Sequence, residues 1–233
     1  MTLPELSPES TVELAEETVP GAREPLGETA LASFLSAKLC HDFISPAGAI
    51  VSGLDLLKDP SAQDMRDDAI ALIDASANKL VEIVQFCRVA YGAATTSERF
   101  DSAELEKLVR ESFSHMRAEL VWDVEVPTFE KPAARAFLNL AQIAGHALPM
   151  GGEATITVKA ASDGIVMATV SRGPKARLKA EAVTGLKGEQ LNEGLAGQWI
   201  QGFWLAAVVR EAGGTLDFEV GEDLVALTIR IPA

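Results

Sequence analysis

Apolar residues recur at helical spacing over the first part of the chain. Leu31, Phe34, Leu35, Leu39, Ile50, Leu54 and Leu57 fall on one stripe, the signature of an amphipathic helix. Thr29 is a residue suited to capping its start, so the pattern predicts a helix from Thr29 to about Leu57. Pro46 removes a backbone donor inside that helix, and Gly48 and Gly53 loosen it, which predicts a kink or irregularity near Pro46. Lys58-Asp59-Pro60 reads as a turn. Ser61 and Asp64 then stand at capping-box spacing. Met65, Ile70, Ile73, Leu80, Ile83, Val84, Cys87 and Tyr91 carry a second helical pattern, ended by the linker-like run Gly92-Ala93-Ala94-Thr95-Thr96-Ser97. Two long helices joined by a short turn lie antiparallel. Such a hairpin leaves its apolar stripe in water unless something covers it. A second copy would do so, giving a four-helix bundle about a twofold axis; the C-terminal part of the same chain would also serve. The dimer is the expectation, because both stripes run the full length of their helices.

From Phe100 the pattern mixes two periods. Ser102 to Met116 reads as a helix. Leu120, Trp122, Val124 and Val126 alternate with Val121, Asp123 and Glu125, as in a half-buried strand. Pro132 to Leu148 is an alanine-rich helix, Ala154 to Ala160 an alternating strand, and Ile165 to Val170 a more continuously apolar strand. Gln198 to Ala212 predicts a helix closed by Gly213-Gly214. Thr215 to Val220 and Leu224 to Ile231 predict a final hairpin turned by Gly221-Glu222-Asp223. The fold class is therefore α+β. It pairs an N-terminal antiparallel helical hairpin with a C-terminal two-layer α/β sandwich, helices on one face of a mixed sheet.

Charge narrows the partners. The 233 residues carry a formal net charge of −14, which argues against nucleic acid or an anionic membrane as the main partner. Glu5, Glu9, Glu13, Glu16, Glu17, Glu24 and Glu28 stand against Arg23 alone near the N-terminus, among Pro4, Pro8, Pro20 and Pro25. So few large apolar residues cannot offset the entropy of ordering, and residues 1–28 are expected to be a disordered tail. Residues 29–94 then form the hairpin and 98–233 the sandwich. The N-terminus has neither the basic region nor the apolar stretch of a signal peptide, and no apolar run approaches membrane-spanning length. Cys40 and Cys87 show no metal-type spacing. A cytoplasmic protein is the expectation.

The candidate chemistry centres on Leu39-Cys40-His41-Asp42-Phe43-Ile44-Ser45-Pro46, which holds one of only three histidines. On a helix Ala37, Lys38, Ile44 and Ser45 share a face with His41. Small and polar neighbours leave the imidazole open to a docking protein, and Lys38 is placed to steady phosphoryl oxygens. Asp42 points roughly 100° around the helix, yet a carboxylate leaning to the ring would hold the tautomer with one nitrogen free for attack. The plainer account is a histidine satisfied on a helix surface. Cys40 beside His41 is no nucleophile–base pair, because adjacent helical side chains diverge. His115 and His146 fall on other helices and read as core or surface residues rather than metal ligands. Arg172, Lys175, Arg177 and Lys179 form a basic cluster suited to an acidic partner, or merely a solvated loop.

His41-Asp42 followed by Pro46 in a helical hairpin resembles the dimerisation and phosphoacceptor box of sensor histidine kinases. The C-terminal part resembles their ATP-binding domain with its nucleotide signatures degraded. Asn139 stands where that domain has the first residue of its asparagine box, but Ile143 occupies the magnesium-binding position. Ser171-Arg172-Gly173-Pro174-Lys175 keeps one glycine of the adenine-binding box and lacks its aspartate, and Gly194-Leu195-Ala196-Gly197 resembles part of the phosphate loop. Together with Ser52 to Leu57, Ser61 to Ala69 and Gly185 to Glu189, these runs resemble the ChpT-type histidine phosphotransferases of alphaproteobacteria, over most of Leu31 to Ala233.

The resemblance implies a homodimer that takes a phosphoryl group from the receiver domain of a hybrid histidine kinase onto His41. It then passes the group to response regulators of cell-cycle control. Magnesium would come with the receiver, and the chain would need neither ATP nor any cofactor of its own. Asp42, Lys38 and Ser45 would flank the reaction, and Ser45 falls where related kinases place a polar residue that aids phosphatase chemistry. Ala37, Ile44, Arg172 and Lys175 would meet the partner. Two other readings stay open: an ATP-dependent histidine kinase with a divergent nucleotide site, and a non-catalytic dimeric adaptor.

Overall fold

The computed structural model describes residues 26–92, 98–191 and 197–233. Helix α1 (Glu28–Lys58) and helix α2 (Arg66–Ala90) form the expected antiparallel hairpin. Its ends differ from expectation. Gly27, extended and without a side-chain cap, precedes α1, and Thr29 lies inside the first turn. At the hairpin turn the capping group is Asp59, which accepts from the Ser61 amide at 2.8 Å and the Ser61 hydroxyl at 2.7 Å. Those two bonds, the hydroxyl's first, hold the Asp59 carboxyl below its ordinary range. Ser61 and Asp64 therefore make no capping box; they lie in a 3₁₀ turn, Pro60–Met65, that leads into α2. Helix α1 runs unbroken through Pro46, which is buried.

The rest of the chain builds the sandwich. A short ribbon pairs β1 (Arg99–Asp101) with β3 (Thr128–Glu130). Between and after them come α3 (Ser102–Ser114), β2 (Ala118–Val124), α4 (Lys131–His146), β4 (Gly152–Ala161), β5 (Gly164–Arg172), α5 (Ala180–Leu186), α6 (Gly197–Glu211), β6 (Thr215–Gly221) and β7 (Leu224–Pro232). The main sheet has the order β2-β4-β5-β7-β6. Only β2 and β4 run parallel; the remaining pairs are antiparallel. Alternation sets the buried face: Ala154, Ile156 and Val158 from β4, and Val225, Leu227 and Ile229 from β7, are almost wholly inaccessible. Helices α3, α4 and α6 pack on the sheet, as the two-period pattern predicts. The acidic tail up to residue 25 and the linker at 93–97 lie outside the described residues.

Helix α4 is buried nearly all round, including Lys131 and Asn139 of its polar stripe. The sheet covers one side while α2 and α6 cover others. The hairpin is consequently joined to the sandwich. Phe86, Cys87, Val89 and Ala90 of α2 belong to the main core, with Leu39 and Phe43 packed against it. Near its start α1 lays Leu31, Phe34 and Leu35 against Trp199, Ile200 and Phe203 of α6, Phe34 meeting Trp199 edge to face at 5.1 Å. The same chain thus covers the N-terminal part of the α1 stripe. Ile44, Val51 and Leu54 on α1, with Ile70, Leu72, Val81 and Val84 on α2, stay exposed.

Candidate functional site

The middle of α1 carries the candidate chemistry. His41 projects with 88% of its side chain exposed, and its Nδ1 lies 3.3 Å from Oδ1 of Asp42. The other oxygen of that carboxylate, Oδ2, accepts from Lys38 Nζ at 2.6 Å, one helical turn back. Asp42 therefore reaches both neighbours despite the divergence of adjacent side chains. A carboxylate only accepts, so the ring nitrogen that faces it carries the proton, and the lone pair sits on Nε2, away from Asp42. Ser45 and Ile44 are exposed and Ala37 is half-buried. The Lys38 side chain is only 11% exposed and is paired with Asp42.

Beneath His41 opens a cleft of about 330 Å³ between the hairpin and the sandwich. Its walls include Lys38, His41, Asp42 and Ser45 of α1, Lys79, Glu82 and Phe86 of α2, Glu111 of α3, and His146 at the end of α4. His115 lines it too, its Nε2 2.8 Å from Oε2 of Glu82. All three histidines thus gather at one cleft, a grouping with no local sequence signal, since packing between distant elements brings them together. They do not make a metal centre: among the described residues no group of His, Cys, Asp and Glu is arranged to hold an ion. His146 keeps an exposed edge, yet desolvation of its ring by the surrounding cleft holds it below the ordinary histidine range; Lys38 and Lys179 push the same way, and Asp42 opposes them. Burial raises the Cys87 thiol to about 12, so it stays protonated at neutral pH and is a poor nucleophile. The Tyr91 hydroxyl, also at the cleft, is pushed well above its usual range by burial.

The residues resembling a nucleotide site have other work. Asn139 is fully buried, and its Nδ2 donates to the carbonyl of Arg135 at 2.9 Å and to that of Ala90 at 3.4 Å. Trp204 Nε1 donates to the same Ala90 carbonyl at 2.9 Å. Ile143 is core, and Ser171, also buried, bonds to the carbonyl of Ala144 at 2.9 Å. The space bounded by Ile143, His146, Arg177, Lys179, Ala182 and Gln201 amounts to about 20 Å³, far below the ~300 Å³ or more typical of small-molecule sites. Residues 194–196 of the glycine-rich run lie outside the described residues. Arg172 and Lys175 are exposed near the β6–β7 turn, where the Lys175 amide donates to Asp223 Oδ1 at 2.6 Å. Neither lines the His41 cleft.

A family model described as the histidine phosphotransferase C-terminal domain matches residues 102–224, more than half of the chain. The chain belongs to this histidine phosphotransferase family. Protein phosphotransferase ChpT of Brucella abortus (strain 2308) is 27% identical to it over 197 residues, covering 84% of this chain and 93% of that protein. A solved structure described as a bacterial phosphotransferase at 1.7 Å superposes with a TM-score of 0.78 at 25% identity, covering 88% of this chain and 98% of the other. The match spans hairpin and sandwich alike. No helix of this phosphotransferase family member, among the described residues, is long and apolar enough to cross a membrane.

Proposed function

We propose that this chain is the histidine phosphotransferase of a phosphorelay, with His41 the phosphoacceptor. The donor is the receiver domain of a hybrid histidine kinase and the acceptors are response regulators. The observation that carries the reading is the exposed ring of His41 with Nδ1 facing Asp42 Oδ1. In the transfer, the Nε2 lone pair attacks phosphorus, the bond from phosphorus to the receiver's aspartyl oxygen breaks, and the carboxylate leaves with the electron pair. The ring keeps its Nδ1 proton, becomes cationic, and faces the Asp42 carboxylate. The return step reverses these bonds onto the next receiver. Such chemistry rests on alignment and charge stabilisation, and magnesium is supplied in the receiver's own acidic pocket.

Transfer without ATP is favoured over the kinase reading by Ile143 in the core and by the small space around it. A homodimeric hairpin, cytoplasmic and closed into a four-helix bundle, is favoured over a lone one by the exposed apolar residues from Ile44 to Val84. Regulation of the cell cycle is the setting proposed for those response regulators. The test is a transfer assay with a cognate phosphorylated receiver, run beside labelled ATP with magnesium. Label should pass from the receiver to the wild type and to His115→Gln and His146→Gln, and not to His41→Gln. It should be acid-labile and alkali-stable. Labelling from ATP alone would establish a kinase instead, and no labelling from either source would leave an adaptor.

A further inference from the structure

Three carboxylates at the His41 cleft already have basic partners. Asp42 takes Lys38 at 2.6 Å, Glu82 takes His115 at 2.8 Å, and Glu111 takes Lys107 at 3.7 Å. Lys79 of α2 lines the same cleft, is exposed, and has no carboxylate partner among the described residues. Glu82, one turn along its own helix and the natural i, i+3 partner, is turned to His115 instead. Its ammonium is a compact, hydrated point charge on the same cleft as His41, free of any carboxylate partner there.

The register of the hairpin places that ammonium. Gly53 of α1 lies against Ala69 and Ile73 of α2. Ser45 stands eight residues before Gly53, and Lys79 eight residues after Ala71, the midpoint of that contact. In antiparallel helices the two therefore stand at the same level of the hairpin, both on the wall of the cleft, with His41 one turn along α1 from Ser45. Lys38, the other cation near the ring, lies on the far side of Asp42 and is neutralised by it.

We propose that Lys79 is a catalytic residue of the transfer: it holds the phosphoryl group carried by Nε2 of His41, while Lys38 orients Asp42. This rests on the phosphotransferase reading above. As the His41–phosphorus bond forms, negative charge on the phosphoryl oxygens meets the Lys79 ammonium, with the Ser45 hydroxyl on the opposite helix as a neutral donor. No proton moves to or from Lys79 in the step; its part is electrostatic.

The test uses the full-length protein and Lys79→Met, Lys79→Arg and Lys38→Met variants. With a cognate phosphorylated receiver, Lys79→Met should slow transfer at saturating receiver by about tenfold or more, with little change in the receiver concentration at half-maximal rate. Lys79→Arg should recover most of that loss. In addition, the protein phosphorylated on histidine by phosphoramidate should be titrated by phosphorus NMR. An adjacent cation holds the phosphoryl group's own proton affinity down, so Lys79→Met should raise its midpoint more than Lys38→Met does. A wild-type rate in Lys79→Met, a loss confined to half-saturation, or a larger NMR shift from Lys38→Met would overturn the assignment. Failure of the wild type to take label on His41 would instead sink the phosphotransferase reading itself, an outcome that needs no Lys79 variant to be seen.

Discussion

Asp42 serves two neighbours at once, and its substitution touches both. Its Oδ2 engages Lys38 and its Oδ1 faces Nδ1 of His41. Asp42→Asn keeps the shape but removes the charge that steadies the cationic phosphohistidine ring. Transfer at saturating receiver should fall by about tenfold or more, near 1.4 kcal/mol in barrier, while circular dichroism keeps its helical signal and the melting temperature falls, because the largely buried Lys38 loses its counter-charge. His146 answers to pH. Its folded form resists protonation, so below the ordinary histidine range the unfolded chain binds the extra proton first. Stability from this residue is therefore full above about pH 6.5 and is lost as pH falls below that value toward the depressed folded pKa. His146→Gln should flatten the drop in melting temperature between pH 7 and 5 relative to wild type; an unchanged slope would refute the assignment.

The contrast between these residues shows what a sequence discloses at this scale. His41 stands out because its setting is local: helix, carboxylate and proline within a few positions. Lys38 with Asp42 is equally readable as an i, i+4 pair, which the structure forms at 2.6 Å. Lys79, His115 and His146 acquire meaning only through packing of α2, α3 and α4, which no short-range pattern encodes.

At the scale of elements, period and punctuation carried the long pieces. The end of α6 is marked by Gly213, which adopts φ +68° while the Gly214 amide returns to the carbonyl of Val209 at 2.8 Å. The β6–β7 hairpin turns where Gly221-Glu222-Asp223 predicts. Elements too short to show a period escaped: β1 and β3, and helix α5. Helix α5 is held by close approach, for a Cβ at Gly185 would lie 2.3 Å from the carbonyl oxygen of Trp199 and 2.7 Å from the Phe203 amide. Backbone cannot yield as a side-chain tip does, so Gly185→Ala should lower the unfolding free energy by about 2–3 kcal/mol in denaturant titration. A neutral result would show that α5 can lift off α6 without cost.

At the scale of the whole molecule, the apolar stripe has a divided fate. Its N-terminal part closes onto α6 within the chain, and the part nearer the hairpin turn stays bare. Leu54 is 41% and Ile70 47% exposed, so glutamates there do not disturb the core of one chain, but two buried in a seam would be costly. Light scattering should give twice the chain mass for the wild type and the single-chain mass for Leu54→Glu/Ile70→Glu with helicity retained. Ile73 is no such probe, since it packs on Gly53 inside the hairpin. A wild type that remains single at micromolar concentration would refute the bundle.

The wall behind His41 has a kinetic consequence. With the sandwich clasped to the hairpin through Phe34 and Trp199, the ring is open to one visitor from the solvent side. A discharged donor must leave before an acceptor arrives on the same protomer. Exchange on the proposed reading is then ping-pong, with parallel double-reciprocal plots, and the spent receiver competes with its successor for the single berth. Which regulator receives the signal becomes a matter of queueing, set by abundance and dwell time as much as by affinity.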